Sequence, residues 1–353
     1  MSVEGAGEVR DEDAFDVEAV RTWLAAHGHP LTGDVTVRQF GGGASNLTYS
    51  LRTEQDDLIL RRPPTGQKAK GAHDMGREFR IQAGLADVFP LVPDMVALCD
   101  DESVIGSPFY VMQRIDGIIP RRDFPPGVEL DKDQTRALCT NALDVLIDLH
   151  RVDVGATPLA EMNKGDGYVR RQVDGWSTRF RNARTDDAPD GEAVMSWLAA
   201  NQPADVGNCL IHNDFRFDNL VLDKDDPTRP VGVLDWEMAT VGDPLMDLGG
   251  TLSYWVQQDD DEFFLQFRRQ PTTLPGMLTR EQVVDYYCAA MGFSLTPGQW
   301  RFYEVFGLFR LAVIAQQIYY RYFHKQTTNE SYAIFGPAVQ YLEARCRSIL
   351  GIA

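Results

Sequence analysis

The sequence predicts an α+β chain in two lobes, a small β-rich N-lobe followed by a large, mainly helical C-lobe. Three observations predict it. Apolar residues alternate in short runs before residue 116, they recur at three- and four-residue steps after Asp131, and a dense polar group at 211–219 with Asp235 lies between short apolar runs. The expected organisation is a disordered lead over 1–16, an N-lobe over 17–115 and a C-lobe over 116–353.

The lead is rich in acids and holds no continuous apolar stretch, so no secretory signal is expected there. Val20, Trp23 and Leu24 sit at i, i+3, i+4 spacing in an opening helix that Gly28 ends. Strands are expected over 35–40, 47–52 and 58–62, the last two joined by the turn Gln55-Asp56-Asp57. Between the first two lies Gly41-Gly42-Gly43-Ala44-Ser45-Asn46. Glycine has no side chain to block an approach and tolerates positive φ, so backbone amides in such a turn can lie close over a phosphate. A plain hairpin is the other reading. No Gly-x4-Gly-Lys-Ser/Thr occurs, and the element after the glycines reads as a strand, so neither a P-loop nor a dinucleotide turn fits. Alternation places Ile59 and Arg61 on one face of the third strand and Leu58, Leu60 and Arg62 on the other. A helix over 73–85 sets Glu78 among Phe79, Ile81 and Leu85, and 108–115 reads as a buried strand ending in a connector.

Beyond Asp131 the pattern turns helical. Leu138, Ala142, Val145 and Leu149 form one buried face, closed by His150 as a structural residue. Further helices are expected over 168–181, 193–199, 244–255, 280–290, 297–323 and 332–349. The most apolar segment, 305–315, is interrupted by Arg310 and too short to span a bilayer, so a buried helix is expected.

Composition narrows the class. The 353 residues suffice for two lobes and a large core, and a hydrophobic share of 44% with 24% charged is ordinary for a globular protein. The net charge of −18 argues against nucleic acid or an anionic membrane as partner. Five widely spaced cysteines suggest neither a zinc knuckle nor a disulfide framework, which points to a reducing cytoplasm.

The chemistry concentrates in Ile211-His212-Asn213-Asp214-Phe215-Arg216-Phe217-Asp218-Asn219, followed by the apolar run 231–234 and Asp235. Phosphoryl transfer needs such a set: an aspartate to receive or orient the proton of an attacking hydroxyl, and an amide and a second aspartate to hold magnesium against nucleotide phosphates. Asp214 is the candidate base, and Asn219 and Asp235 are the candidate metal ligands. His212 is expected to brace the loop, Asp218 and Glu237 are further acids nearby, and Asp243 and Asp247 suit the cap of a helix starting at Pro244. Two solvated acidic loops are the plain alternative.

At these residues, and at Gly242-Asp243-Pro244-Leu245-Met246-Asp247, the chain resembles the aminoglycoside phosphotransferase family, whose catalytic loop reads His-Gly/Asn-Asp-x4-Asn. The resemblance implies a two-lobed protein-kinase-like fold, magnesium and ATP or GTP as phosphoryl donor, and a small hydroxylated substrate. It implies that Gly41, Gly42, Gly43, Ser45 and Asn46 cover the phosphates, that Ile59 contributes to the adenine ceiling, and that Gln113, Arg114 and Ile115 form the hinge. The family usually places lysine on the third strand, whereas this chain has six lysines, none within 58–64. Arg61 takes the cation's place, with Glu78 holding it by an ion pair, although an arginine fork differs in geometry from an ammonium. The resemblance is strongest to the branch associated with acyl-CoA dehydrogenases, through Leu60-Arg61-Arg62-Pro63-Pro64, the stretch 168–173 with Trp176, and the catalytic loop. That branch implies a hydroxyacyl-CoA acceptor, and the basic residues Arg170 and Arg171 suit an anionic one, unless they merely face solvent beside Asp174. Antibiotic inactivation and a nucleotide-binding pseudokinase or scaffold remain the competing readings.

Overall fold

The computed structural model describes residues 5–41, 46–64 and 74–352. They fall into two compact units, Met1–Gly117 with Val231–Glu237, and Ile118–Pro230 with Met238–Ala353.

In the first unit, β1 (Ala6–Gly7), β2 (Thr36–Phe40), β3 (Leu47–Arg52), β4 (Asp57–Arg62), β5 (Met95–Cys99) and β6 (Phe109–Gln113) form one antiparallel sheet in the order β1-β2-β3-β4-β6-β5. Helix α1 (Val17–Ala26) starts where the Asp16 carboxylate accepts from the Ala19 N–H, and α2 (Met75–Leu85) starts where Asp74 accepts from the Arg77 N–H. The period of two sorts the side chains of β4. Leu58 and Leu60 pack with Val20 and Leu24 of α1, whereas Ile59 packs with Tyr110, Met112 and Met75 of α2. Arg61 therefore shares the α2 side of the sheet. Strand β5 lies where the sequence offers no clean alternation, and no expectation covered it.

The disordered lead expected over 1–16 does not hold for the part described. Ala6 and Gly7 pair with Phe40 and Gln39, and Asp13 is buried. The Asp13 carbonyl accepts from Arg62 Nη2 at 2.6 Å and from the Tyr49 hydroxyl at 2.7 Å, while its carboxylate accepts from Gln39 Nε2 at 2.9 Å. A buried guanidinium on the far face of β4 thus recruits the segment, a demand that a scan for apolar periodicity does not register.

In the second unit, a capping box of Asp131 and Gln134 opens α3 (Lys132–His150), followed by α4 (Tyr168–Ala183) and α5 (Glu192–Ala200). The short strands β7 (Cys209–Ile211), β8 (Leu220–Leu222), β9 (Pro230–Val233) and β10 (Thr240–Gly242) come next, β9 reaching from this unit into the first. Strand β10 pairs antiparallel with β7, so Thr240 faces Ile211. Helices α6 (Pro244–Ser253), α7 (Glu262–Gln266), α8 (Arg280–Met291), α9 (Pro297–Phe323) and α10 (Phe335–Leu350) complete the unit. Helix α9 buries Val305, Phe306, Leu308, Phe309 and Val313. Among the described residues no helix is long and apolar enough to cross a membrane. Helices α6 and α9 cross very closely: a Cβ on Gly307 would stand 2.1 Å from the Gly249 carbonyl oxygen, and one on Gly249 would stand 2.5 Å from that of Tyr303. Only glycine at both positions permits this approach.

Candidate active site

The first unit supplies a buried charge cluster. Arg61 Nη1 donates to Glu78 Oε1 at 2.6 Å and Nη2 to Asp235 Oδ1 at 3.2 Å. The side chains of Arg61 and Glu78 are 12% and 1% exposed, and that of Asp235 is 36% exposed. Burial works against the Arg61 charge, but the oxygens of Tyr110, Glu78, Asp235 and Glu237 outweigh it and hold its pKa well above the ordinary value. Burial raises the Glu78 pKa, and Arg61 offsets only part of that rise. Asp235 follows β9 in the left-handed region, φ 65°, where a non-glycine residue is strained and must be held. Trp236 does the holding: fully buried, it donates from Nε1 to the Val233 carbonyl at 2.8 Å and meets Phe89 edge to face. Arg77 donates to the Glu237 carbonyl at 2.8 Å, and Asn46 Nδ2 to Glu237 Oε2 at 3.3 Å.

Of the expected phosphate-covering turn, Gly41 and Asn46 are described, while Gly42, Gly43 and Ser45 lie outside the described residues, as does the start of the helix expected at 73. Ile59 is buried on the Arg61 side of the sheet. At the connector, the Gln113 N–H donates to the Asp94 carbonyl at 2.8 Å and the Arg114 N–H to that of Asp57 at 2.9 Å, so these two amides are spent within the sheet. The Arg114 guanidinium grips Asp57 and Asp116. Ile115 lies against Gly232, where a Cβ would stand 2.4 Å from its Cδ1.

The second unit supplies the loop between β7 and β8. Asn219 Nδ2 donates to the Asp214 carbonyl at 2.8 Å and to Asp214 Oδ2 at 3.0 Å. This assigns the amide orientation and leaves Asn219 Oδ1 as the end a cation would meet, a hard oxygen that fits magnesium. The Asp214 N–H donates to His212 Nδ1 at 3.2 Å, so His212 braces the loop. Arg216 Nη2 stands 3.3 Å from Asp214 Oδ2 and its Nε 3.2 Å from Asp218 Oδ1, with the guanidinium over the Tyr254 ring. The Phe217 N–H donates to Gln270 Oε1 at 2.8 Å.

Asp243 and Asp247 divide their work differently from the expectation that both cap α6. Asp243 does cap it, accepting from the Leu245 and Met246 N–H groups, and burial pushes its carboxyl up to about 6. Asp247 instead turns away from the helix end to the catalytic loop, where Oδ2 accepts from the His212 N–H at 2.8 Å and Oδ1 from the Asn213 N–H at 2.7 Å. Its Oδ2 also meets His150 Nε2 at 3.0 Å, and His150 Nδ1 meets the Tyr287 hydroxyl at 2.5 Å. Burial raises the Asp247 pKa, but these hydrogen bonds and the two histidines hold it below the ordinary value. Sequence reading missed this anchoring role, and also Arg216 and Arg310; the latter was signalled only as the one charge inside an apolar run.

Arg170 and Arg171 open α4. The Arg170 side chain is 79% exposed, with Nε 3.8 Å from Asp174 Oδ2, while Arg171 donates to the Asp166 and Gly165 carbonyls at 2.6 and 3.0 Å. They sit on an outward face and are partly used in closing their own helix start.

The sequence model of the phosphotransferase enzyme family matches residues 36–281. Acyl-CoA dehydrogenase family member 10 of Mus musculus is 35% identical over 322 residues, covering 91% of this chain and 30% of that protein, so the chain spans under a third of that relative's length. A solved structure of a candidate aminoglycoside phosphotransferase from Ralstonia eutropha JMP134 is 29% identical with a TM-score of 0.80, covering 96% of this chain and 99% of the other. The ternary complex of an aminoglycoside phosphotransferase with streptomycin and ATP shares the kinase-like fold, with a TM-score of 0.60 at 14% identity over 96% of this chain and 99% of that one.

Proposed function

This chain belongs to the phosphotransferase enzyme family, and we propose that within it the protein transfers the terminal phosphoryl group of ATP or GTP to a hydroxyl of a small anionic metabolite, a hydroxyacyl-CoA first. The observation that carries the reaction class is the preset pair Asp214–Asn219, in which one amide fixes the carboxylate through its own carbonyl and Oδ2. Asp214 orients the acceptor hydroxyl and receives its proton. Asn219 and Asp235 hold magnesium, which when bound neutralises phosphate charge. Arg61 grips the donor phosphates and Glu78 keeps it in place. Asn46 and the glycines before it cover the phosphates, while Ile59 and the connector at Gln113, Arg114 and Ile115 receive the base, with the Ile115 backbone amide and the connector's carbonyls offering the polar groups. Catalysis on this reading is positioning and electrostatic stabilisation.

The acceptor class rests on the 35% identity to an acyl-CoA dehydrogenase family member and on the arginines that open α4, whose forks suit phosphate and carboxylate. A reducing cytoplasm is the proposed location, supported by five unbridged cysteines. The test is nucleotide consumption with magnesium against hydroxyacyl-CoAs, simple hydroxy acids and aminoglycosides. Hydroxyacyl-CoA should be phosphorylated, and Asp214→Asn should cut turnover by about 10³-fold or more while the nucleotide still binds. Turnover of aminoglycosides alone would replace the acceptor, and a wild-type chain that binds nucleotide but transfers to nothing would favour a pseudokinase.

A further inference from the structure

The residue before the base is under strain and is held from several directions. Asn213 has φ 64°, the left-handed region that glycine adopts freely and that asparagine enters more readily than other side chains, though still at a cost. Its N–H donates to Asp247 Oδ1 at 2.7 Å, its Nδ2 donates to the Met238 carbonyl at 3.1 Å, and its side-chain amide lies 3.4 to 3.5 Å from the Tyr168 hydroxyl. Its carbonyl accepts from Arg310 Nη2 at 2.7 Å. Arg310 is 7% exposed, an uncommon place for a guanidinium, and its charge lies over the Trp176 ring at 5.3 Å. The fold makes room for it: the glycine crossing of α6 and α9 brings this turn of α9 against α6, and a Cβ on Gly250 would stand 3.0 Å from Arg310 Nη1.

We propose that Arg310 is a positioning residue for phosphoryl transfer: by holding the Asn213 carbonyl it maintains the strained backbone turn that sets the direction of the Asp214 carboxylate. This rests on the reading of Asp214 as base. Arg310 touches no reacting group and acts through one peptide unit. A buried arginine costs desolvation on any helix, and here its hydrogen bond is directed at the one position in the loop where backbone strain is stored. The Asn213 side chain in turn donates to the Met238 carbonyl.

The test compares Arg310→Met, which keeps much of the side-chain volume without the donor, with Arg310→Lys, which keeps a donor. Each is made alone and with Asn213→Gly, which removes the strain. Turnover is measured with ATP, magnesium and 3-hydroxybutyryl-CoA, and hydrogen exchange is followed in the peptide 211–219. Arg310→Met should lower kcat between about tenfold and a hundredfold with the KM for ATP nearly unchanged, and should speed exchange in that peptide. Arg310→Lys should recover much of both, and Asn213→Gly should restore most of the kcat lost in Arg310→Met. Full turnover and unchanged exchange in Arg310→Met would overturn the proposal, as would a loss that Asn213→Gly leaves untouched. If the wild-type chain phosphorylates no acceptor, the function reading fails, and the exchange comparison still decides whether Arg310 holds the turn.

Discussion

Replacing Arg61 by methionine removes the cation from a carboxylate that has almost no water. Glu78 is 1% exposed and Arg61 stands 2.6 Å from it, so the variant leaves a buried acid without its main partner. Breaking such a pair costs about 3–5 kcal/mol when the remaining charge stays ionised. Burial already raises the Glu78 pKa in the intact protein and Arg61 opposes that rise; without Arg61 the folded value moves further above the unfolded one. A carboxyl raised in this way favours folding while protonated, and that contribution is lost as pH rises through the folded value. Between the two values stability falls by about 1.4 kcal/mol per pH unit. The cost should therefore be larger at pH 8 than at pH 6. Urea unfolding at the two pH values, followed by tryptophan fluorescence, measures this directly. Arg61→Met with Glu78→Gln should recover much of the loss at pH 8, since no buried charge is left over. An equal loss at both pH values, or a double variant no better than the single one, would refute the argument.

Asp235→Ala should abolish the magnesium dependence of nucleotide binding, seen by titrating nucleotide at fixed magnesium; unchanged dependence would remove Asp235 from the ligand set. Gly307→Ala places a methyl 2.1 Å from the Gly249 carbonyl oxygen, so α6 and α9 must part. The expected cost is about 3 kcal/mol in urea unfolding, with a fall in turnover because the α9 arginine moves with its helix. Alanine at both Arg170 and Arg171 should raise the acceptor KM and leave that for nucleotide nearly unchanged; equal kinetics would make them simple surface charges.

The two-lobed α+β architecture and much of the site's neighbourhood were legible in the sequence, for identifiable reasons. The period of two along β4 placed Ile59 and Arg61 together, and the family resemblance singled out Glu78, the one acid among the apolar residues of the next helix, as the partner of Arg61. The membership of Val231–Glu237 in the first unit has no such local signal. Neither has the choice of Asp247 to anchor the loop while Asp243 caps the helix, because both are acids at the start of α6 and only the surrounding donors separate them. Arg310 was visible as an interruption, but its target became clear only once the glycine crossing brought α9 to Asn213. The lead was misjudged because its attachment is polar, through the Asp13 carbonyl and carboxylate.

That polar attachment bears on how the protein is handled. Arg61 and Arg62 are neighbours on one strand, the first facing the charge cluster and the second fastened to the Asp13 carbonyl and the Tyr49 hydroxyl. Trimming the chain to begin at α1 would strip one acceptor from a side chain that is 2% exposed and unsettle the strand that presents Arg61 on its other side. Residues 6–13 are thus fastened to the sheet that carries Arg61, and an expression tag or cleavage site placed among them would be felt first in the stability of that sheet.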